Sequence, residues 1–182
     1  TMGKGNKTKQ PSTPKTVTTP NTVKAHKILL IDDNNINRKV VHGLLSELPY
    51  ELHDEDNAED GIKKLKEQSF DLILMDIELP DMNGDEATKI IRQSSDINNK
   101  NIPIIALTGN TQDHHINHYF NCGVNSFIAK PIDPTTLIKK IENASNGVFD
   151  KDTYVPKTKP NFVKEQAVES PVNLEIDDNH NP

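Results

Sequence analysis

The sequence predicts an α/β fold, a doubly wound five-stranded parallel sheet with helices on both faces. Short apolar runs of buried-strand type alternate with stretches whose apolar residues recur at helical spacing, and the alternation occurs five times. Most of the strand candidates are continuously apolar, the mark of strands covered on both sides. Right-handed crossovers between parallel strands then restrict the topology to a doubly wound sheet.

Residues 27–31 form the first strand. Behind Asn34 and Asn35, both good capping residues, Ile36, Val40, Val41, Leu44, Leu45 and Leu48 mark the first helix. Residues 50–54 read as a weak alternating strand, and Ala58, Ile62 and Leu65 mark the second helix. The third strand is expected at 71–75, followed by a turn from Pro80 to Gly84 and a helix carrying Ala87, Ile90 and Ile91. A buried strand at 103–107 precedes a poorly apolar helix at 111–120, and residues 126–129 supply the last strand. Asp133 caps the final helix, with Pro134 at its first position and Leu137, Ile138 and Ile141 on one face.

Both ends of the chain are poor in large apolar residues. Residues 1–24 are rich in Lys, Thr, Pro, Asn and Gly and read as a flexible basic linker. Residues 25–147 form the folded domain, and 148–182, with Pro156, Pro160 and Pro171 and acidic residues at Asp177-Asp178, read as a flexible tail. No apolar run approaches the ~18 residues of a membrane-spanning helix, so no membrane insertion is expected of this segment. The net charge of −6 gives no reason to expect nucleic-acid binding. The single cysteine, Cys122, excludes an internal disulfide and suits a reducing cytoplasm.

In doubly wound folds, sites lie beyond the carboxyl ends of the strands. The residues just past each strand are therefore informative: Asp32 and Asp33 after the first, Asp76 after the third, Thr108 and Gly109 after the fourth, Lys130-Pro131 after the fifth. Three crowded carboxylates repel one another unless a cation intervenes, and Mg²⁺ is the hard, oxygen-seeking ion that suits them. A carboxylate nucleophile, a metal and donors to phosphoryl oxygens are what phosphoryl transfer requires. Ser–His–Asp, Cys–His and zinc-ligand patterns are absent from this set.

These residues sit in stretches that resemble the signatures of response-regulator receiver domains: Leu30-Ile31-Asp32-Asp33-Asn34, Met75-Asp76 through Gly84, Ala106-Leu107-Thr108-Gly109 and Lys130-Pro131. The Asp-Asn-Asn-Ile-Asn-Arg and Ala-Leu-Thr-Gly-Asn stretches are most similar to receivers of hybrid sensor histidine kinases. The resemblance implies a flavodoxin-like strand order, 2-1-3-4-5. It implies that Asp76 is the phosphoacceptor, taking its phosphoryl group from phosphohistidine on a histidine kinase transmitter domain or a histidine phosphotransfer domain. Asp33, Asp76 and the backbone carbonyl of Glu78 would bind Mg²⁺ directly, and Asp32 largely through water. Thr108 and Lys130 would contact the phosphoryl oxygens, and Thr108 with Phe127 would form the switch. A stand-alone response regulator acting by protein–protein contact is the alternative to a hybrid kinase, and a phosphorylation-dependent dimer is left open. No second folded block is read after Gly147, and a metal-dependent hydrolase is disfavoured because Asp32-Asp33-Asn34 stands where an Asp-x-Asp would be needed.

Glu55 and Asp56 stand where relatives often carry a small apolar residue, which predicts a short or shifted second strand. Gly109 replaces a common alanine and leaves access to the phosphoryl group open. His114, His115 and His118 include the four-residue spacing of metal ligands, but with no carboxylate or cysteine partner readable nearby they read as a solvated helix face. Cys122 reads as a structural thiol.

Overall fold

In the computed structural model, residues 26–157 are described, so the expected basic linker and most of the expected tail lie outside them. Five strands, β1 (His26–Ile31), β2 (Tyr50–Glu55), β3 (Leu72–Asp76), β4 (Ile104–Thr108) and β5 (Ser126–Ala129), alternate with α1 (Asn35–Leu45), α2 (Ala58–Glu67), α3 (Gly84–Gln93), α4 (Asp113–Cys122) and α5 (Pro134–Ser145). All strand pairs are parallel, in the order β2-β1-β3-β4-β5. The expected fold class and strand order are both observed.

Period-two alternation divides the core. Ile28 and Leu30 of β1 join Leu74, Leu107 and Ile128 beneath Val41 and Leu45 of α1 and Leu137 and Ile141 of α5. Leu29 and Ile31 point the other way, toward Ile62 of α2, Ile91 of α3 and Ile116 of α4. Residues 28 to 31 are fully buried, so truncating any one of them to alanine carries the cost of a core cavity, about 2–5 kcal/mol.

Caps set the helix starts. The Asn34 side chain accepts from the Ile36 N–H, Asn57 from the Asp60 N–H, and Asp133 from the Thr136 N–H. The Asp81 carboxylate, arriving from the β3–α3 turn, accepts from the Ala58 and Glu59 N–H groups as well. At the end of α4, Gly123 takes φ +106°, the left-handed conformation that glycine adopts without a side-chain clash.

Two expectations differ from the structure. The second strand is not shortened at Glu55: Glu55 pairs in register with Ile31, and the Asp32 N–H donates to its carbonyl at 3.1 Å. This is an edge strand whose side chains are mostly half-buried, so an ion pair from Lys64 serves Glu55 where an apolar residue would otherwise pack. The chain also does not leave the domain at 147. Residues 148–157 lie across β5 and α4 as a strap, with a short 3₁₀ turn at Asp150–Asp152. The Asp150 carboxylate accepts from the Phe127 N–H at 3.1 Å and pairs with Lys140, while the Asp150 N–H donates to the Ser126 hydroxyl at 3.0 Å. The Tyr154 ring meets Phe120 and Phe127 at centroid distances of 5.5 and 6.1 Å, and its hydroxyl donates to Asp113 at 2.5 Å.

That hydrogen bond pushes the Tyr154 phenol up to about 12, with burial adding to it. Folding therefore raises this group, so its contribution is complete below the unfolded value of about 10 and is lost as pH rises through about 12. Tyr154→Phe is expected to cost about 1 kcal/mol near neutral pH, the lower side of a charged hydrogen bond because water reaches the pair. Melting curves of wild type and variant should converge between pH 10 and about 12; a constant gap would contradict the bond.

Candidate functional site

The carboxyl edge of the sheet gathers the polar residues that the core excludes. Asp76 ends β3 and Thr108 ends β4, while Asp32 directly follows β1 and Lys130 directly follows β5. Asp32, Asp76 and Thr108 are buried among otherwise apolar strands, and Asp33 is exposed at the mouth.

Every buried polar atom there has a partner. The Asp32 carboxylate accepts from the Asn34 N–H at 2.9 Å and from the Asn37 amide at 3.1 Å on each oxygen. Arg38 donates to the backbone carbonyl of Asp32 at 2.7 Å and of Asp33 at 3.2 Å, and is itself held by Asp54 at 2.9 Å. One Asp76 oxygen accepts from the Glu78 N–H at 3.1 Å, and the other accepts from the Lys130 ammonium at 2.6 Å. The same ammonium lies 3.4 Å from Asp32. Among the described residues, no buried side-chain nitrogen or oxygen is left without a hydrogen bond.

The charges do not settle as a simple ion pair would. Burial lifts the Asp76 carboxyl above its ordinary value, and the charge of Asp32 adds to this, so that Lys130 and the Glu78 N–H only partly offset the rise. Burial works to lower the Lys130 ammonium, but the hydrogen bond and charge of Asp76, with Asp32, outweigh it and hold the lysine above its usual value. One lysine is thus shared between two buried carboxylates, and a third carboxylate stands beside them. Asp32, Asp33 and Asp76 each offer an oxygen within 4.8 Å of the others. This all-oxygen, electron-rich set fits a hard divalent cation such as Mg²⁺, which would reverse the upward pull on Asp76.

The structure brings Asp32, Asp33, Asp76 and Lys130 together, as their strand-end positions lead one to expect. The Glu78 side chain is exposed, and its N–H is engaged with Asp76. Thr108 is close by but turned away: its hydroxyl donates to the Asn110 carbonyl at 3.2 Å, accepts from the Asn110 N–H at 3.0 Å, and lies 3.5 Å from the Tyr119 hydroxyl. Phe127 is half-buried against Phe120 and Tyr154, with the Lys140 ammonium 5.7 Å above its ring. A Cβ added at Gly109 would meet nothing within 4 Å, so this edge of the site is open. Asn37, Arg38 and Tyr119 have no role that the sequence alone assigns. Asn37 and Arg38 lie one turn into α1 from Asp32, and two adjacent polar residues on the side of a helix that faces a carboxylate are the signal that could mark them.

Comparison with known proteins agrees with this geometry. The family model described as response regulator receiver domain matches residues 28–142. The CAI-1 autoinducer sensor kinase/phosphatase CqsS of Vibrio cholerae is 38% identical over 115 residues, covering 63% of this chain and 17% of that protein. Hybrid signal transduction histidine kinase M of Dictyostelium discoideum is 35% identical over 128 residues, covering 69% of this chain and 5% of that protein. The chain therefore spans a small fraction of the length of these relatives. Among solved structures, the receiver domain of sensor histidine kinase PA1611 from Pseudomonas aeruginosa, with magnesium coordinated in its active-site cleft, superposes with a TM-score of 0.61 at 30% identity, covering 66% of this chain and 98% of that one. The Vibrio cholerae chemotaxis protein CheY4 superposes with a TM-score of 0.61 at 28% identity, covering 66% and 98%. With three carboxylates and a lysine at the carboxyl edge of a 2-1-3-4-5 sheet, and the family model spanning that edge and the sheet, the chain belongs to the response regulator receiver domain family of two-component systems.

Proposed function

We propose that Asp76 accepts a phosphoryl group from phosphohistidine, and that the chain is the receiver of a hybrid sensor histidine kinase. The observation that carries this reading is the convergence of Asp76, Asp32, Asp33 and Lys130 at one strand edge, with Asp76 held from both sides by Lys130 and the Glu78 N–H. An Asp76 oxygen attacks phosphorus as the phosphorus–nitrogen bond of phosphohistidine breaks, and the departing imidazole keeps its electron pair and takes a proton from solvent. Asp32, Asp33, Asp76 and the Glu78 carbonyl would hold Mg²⁺, which when bound supplies the charge that neutralises the crowded carboxylates and phosphoryl oxygens. Lys130, already 2.6 Å from Asp76, stays to pair with the phosphoryl group. Thr108 then leaves Asn110 for a phosphoryl oxygen, which reshapes the β4–α4 loop and the packing around Tyr119 and Phe127.

The partner is a histidine kinase transmitter domain or a phosphotransfer domain. Ile36 is 71% exposed in the first turn of α1, and Val40 is 44% exposed one turn on. Exposed apolar side chains next to the site mouth suit a protein docking there. Ile36→Asp is expected to lower phosphotransfer from a phosphohistidine protein by roughly ten-fold or more, the effect of an interface anchor, while labelling by a small acyl phosphate stays unchanged. Equal losses with both donors would show that the variant damages the site itself. The free thiol of Cys122 fits a cytoplasmic domain that can be tethered to a larger kinase. Among the described residues, no helix is long and apolar enough to cross a membrane.

A further inference from the structure

A second cluster of ligating atoms lies between α3 and α4, away from the phosphoacceptor. His118 Nε2 is 2.8 Å from Asp85 Oδ2 and 3.6 Å from Cys122 Sγ, and that sulfur is 4.0 Å from the same carboxylate oxygen. His118 and Cys122 are four residues apart on α4 and so share a face, while Asp85 reaches them from the first turn of α3. From sequence alone, zinc is disfavoured at these histidines for want of a carboxylate or a cysteine partner; the partners are Cys122, one turn beyond His118 on α4, and Asp85, which the fold brings from α3.

Metal bonds of about 2.3 Å to thiolate sulfur and about 2.0 Å to imidazole nitrogen, set at a tetrahedral angle, place those two atoms about 3.5 Å apart. The sulfur and nitrogen here are already at that separation. For the carboxylate to become the third ligand, the Asp85–His118 hydrogen bond must open by about 0.5 Å and the 4.0 Å gap between Asp85 and the sulfur must close by about 0.4 Å. Asp85 and His118 border an open cleft of about 250 Å³ that is also lined by His115, Asn83 and Tyr119, with room for a water in the fourth position. Cys122 is 6% exposed, yet its sulfur faces this polar pair, where a core thiol would face apolar side chains. Burial, with the charge of Asp85, holds the Cys122 thiol above its ordinary value, and Lys89, which faces it from α3, only partly offsets the rise, so a cation must displace the proton.

We propose that Asp85, His118 and Cys122 bind Zn²⁺ as an aspartate–histidine–thiolate site that clamps α3 to α4. The thiol proton leaves to solvent on binding, so affinity rises with pH. A thiolate and an imidazole select a borderline-soft ion over Mg²⁺, which keeps this site apart from the carboxylates of Asp32, Asp33 and Asp76. Tyr119 follows His118 in α4 and its hydroxyl lies 3.5 Å from Thr108, so the clamp adjoins the threonine that the phosphoryl group would draw away.

The test is a Zn²⁺ titration of the full, reduced chain against a chromogenic chelator in excess Mg²⁺, repeated for His118→Gln, Asp85→Asn, Cys122→Ser and Asp33→Asn. One Zn²⁺ per chain is expected, weakened more than about ten-fold in the first three variants and unchanged in Asp33→Asn. Co²⁺ in place of Zn²⁺ should give thiolate charge-transfer absorption that Cys122→Ser abolishes. The His118 side chain is 52% exposed, so His118→Gln does not threaten the fold. No binding, binding undiminished in His118→Gln, or binding lost in Asp33→Asn would overturn the proposal.

Discussion

Asp76→Asn is expected to abolish acceptance of a phosphoryl group without lowering the melting temperature. The amide keeps the shape of the carboxylate and can still accept from Lys130 through its oxygen, but it is no nucleophile toward phosphorus. The stability half of the expectation comes from the electrostatics. Burial, then the neighbouring Asp32, raise the folded carboxyl above its ordinary value despite Lys130. A group raised on folding contributes stability below its unfolded value and loses it as pH rises through its folded value, so ionising Asp76 within the fold brings no stability of its own. Removing its charge also leaves Lys130 with Asp32, 3.4 Å away. Without divalent ions the variant should melt at or above the wild-type temperature. With Mg²⁺ the order should narrow or invert, because the wild type gains more from binding. A variant that melts well below the wild type in the absence of metal would show that the Asp76–Lys130 pair is a net source of stability.

Gly84→Ala is expected to be among the most damaging single-methyl changes in the domain. Gly84 opens α3, and a Cβ there would stand 2.1 Å from the Asp76 backbone oxygen, 2.9 Å from Met75 Cγ and 3.0 Å from the Asp76 carbonyl carbon. The obstacle is main chain at the end of the central strand, so no side-chain rotation relieves it. Either α3 lifts from β3 or the end of β3 moves, and the latter carries Asp76 with it. The cost is about 3 kcal/mol or more, a fall of roughly 10 °C in melting temperature, accompanied by slower phosphorylation. Gly43→Ala is the control. It lies within α1 with nothing within 4 Å of the added methyl, and it should stabilise by about 0.5–1 kcal/mol. Equal melting temperatures for Gly84→Ala and wild type would contradict the close seat of α3 on β3.

The strand-end rule explains why so much of the site is legible in the sequence. Buried strands in a parallel sheet read as apolar runs, so the first polar residue after each run marks the carboxyl edge. Asp32, Asp76, Thr108 and Lys130 are all found in that way. The features that stay hidden depend on contacts between elements. Nothing in the pattern around Asp85 tells that it faces His118, because the pairing is made by α3 packing beside α4. The strap of residues 148–157 reads as flexible since its composition is polar and shows no periodicity; it is held by one aspartate, Asp150, and two aromatics, Phe149 and Tyr154. Such docking rests on particular hydrogen bonds and leaves no hydrophobic repeat to detect. The second strand reads as short because Glu55 and Asp56 stand where an apolar residue is common, and an edge strand that buries little can carry a charged residue at its end. The Thr108 hydroxyl illustrates a further limit. Sequence places it at the site edge, but only coordinates reveal that it is engaged with Asn110 and not with Asp76.

The central claim is that Asp76 is a metal-dependent phosphoacceptor. Its most direct test is the intact mass of the wild-type chain after incubation with a small acyl-phosphate donor, with Mg²⁺ and with a chelator, followed by peptide mapping. A gain of one phosphoryl group is expected, only with Mg²⁺, localised to the peptide that carries Asp76. No gain with Mg²⁺ bound, or an equal gain in chelator, or a phosphoryl group on another residue, would contradict it.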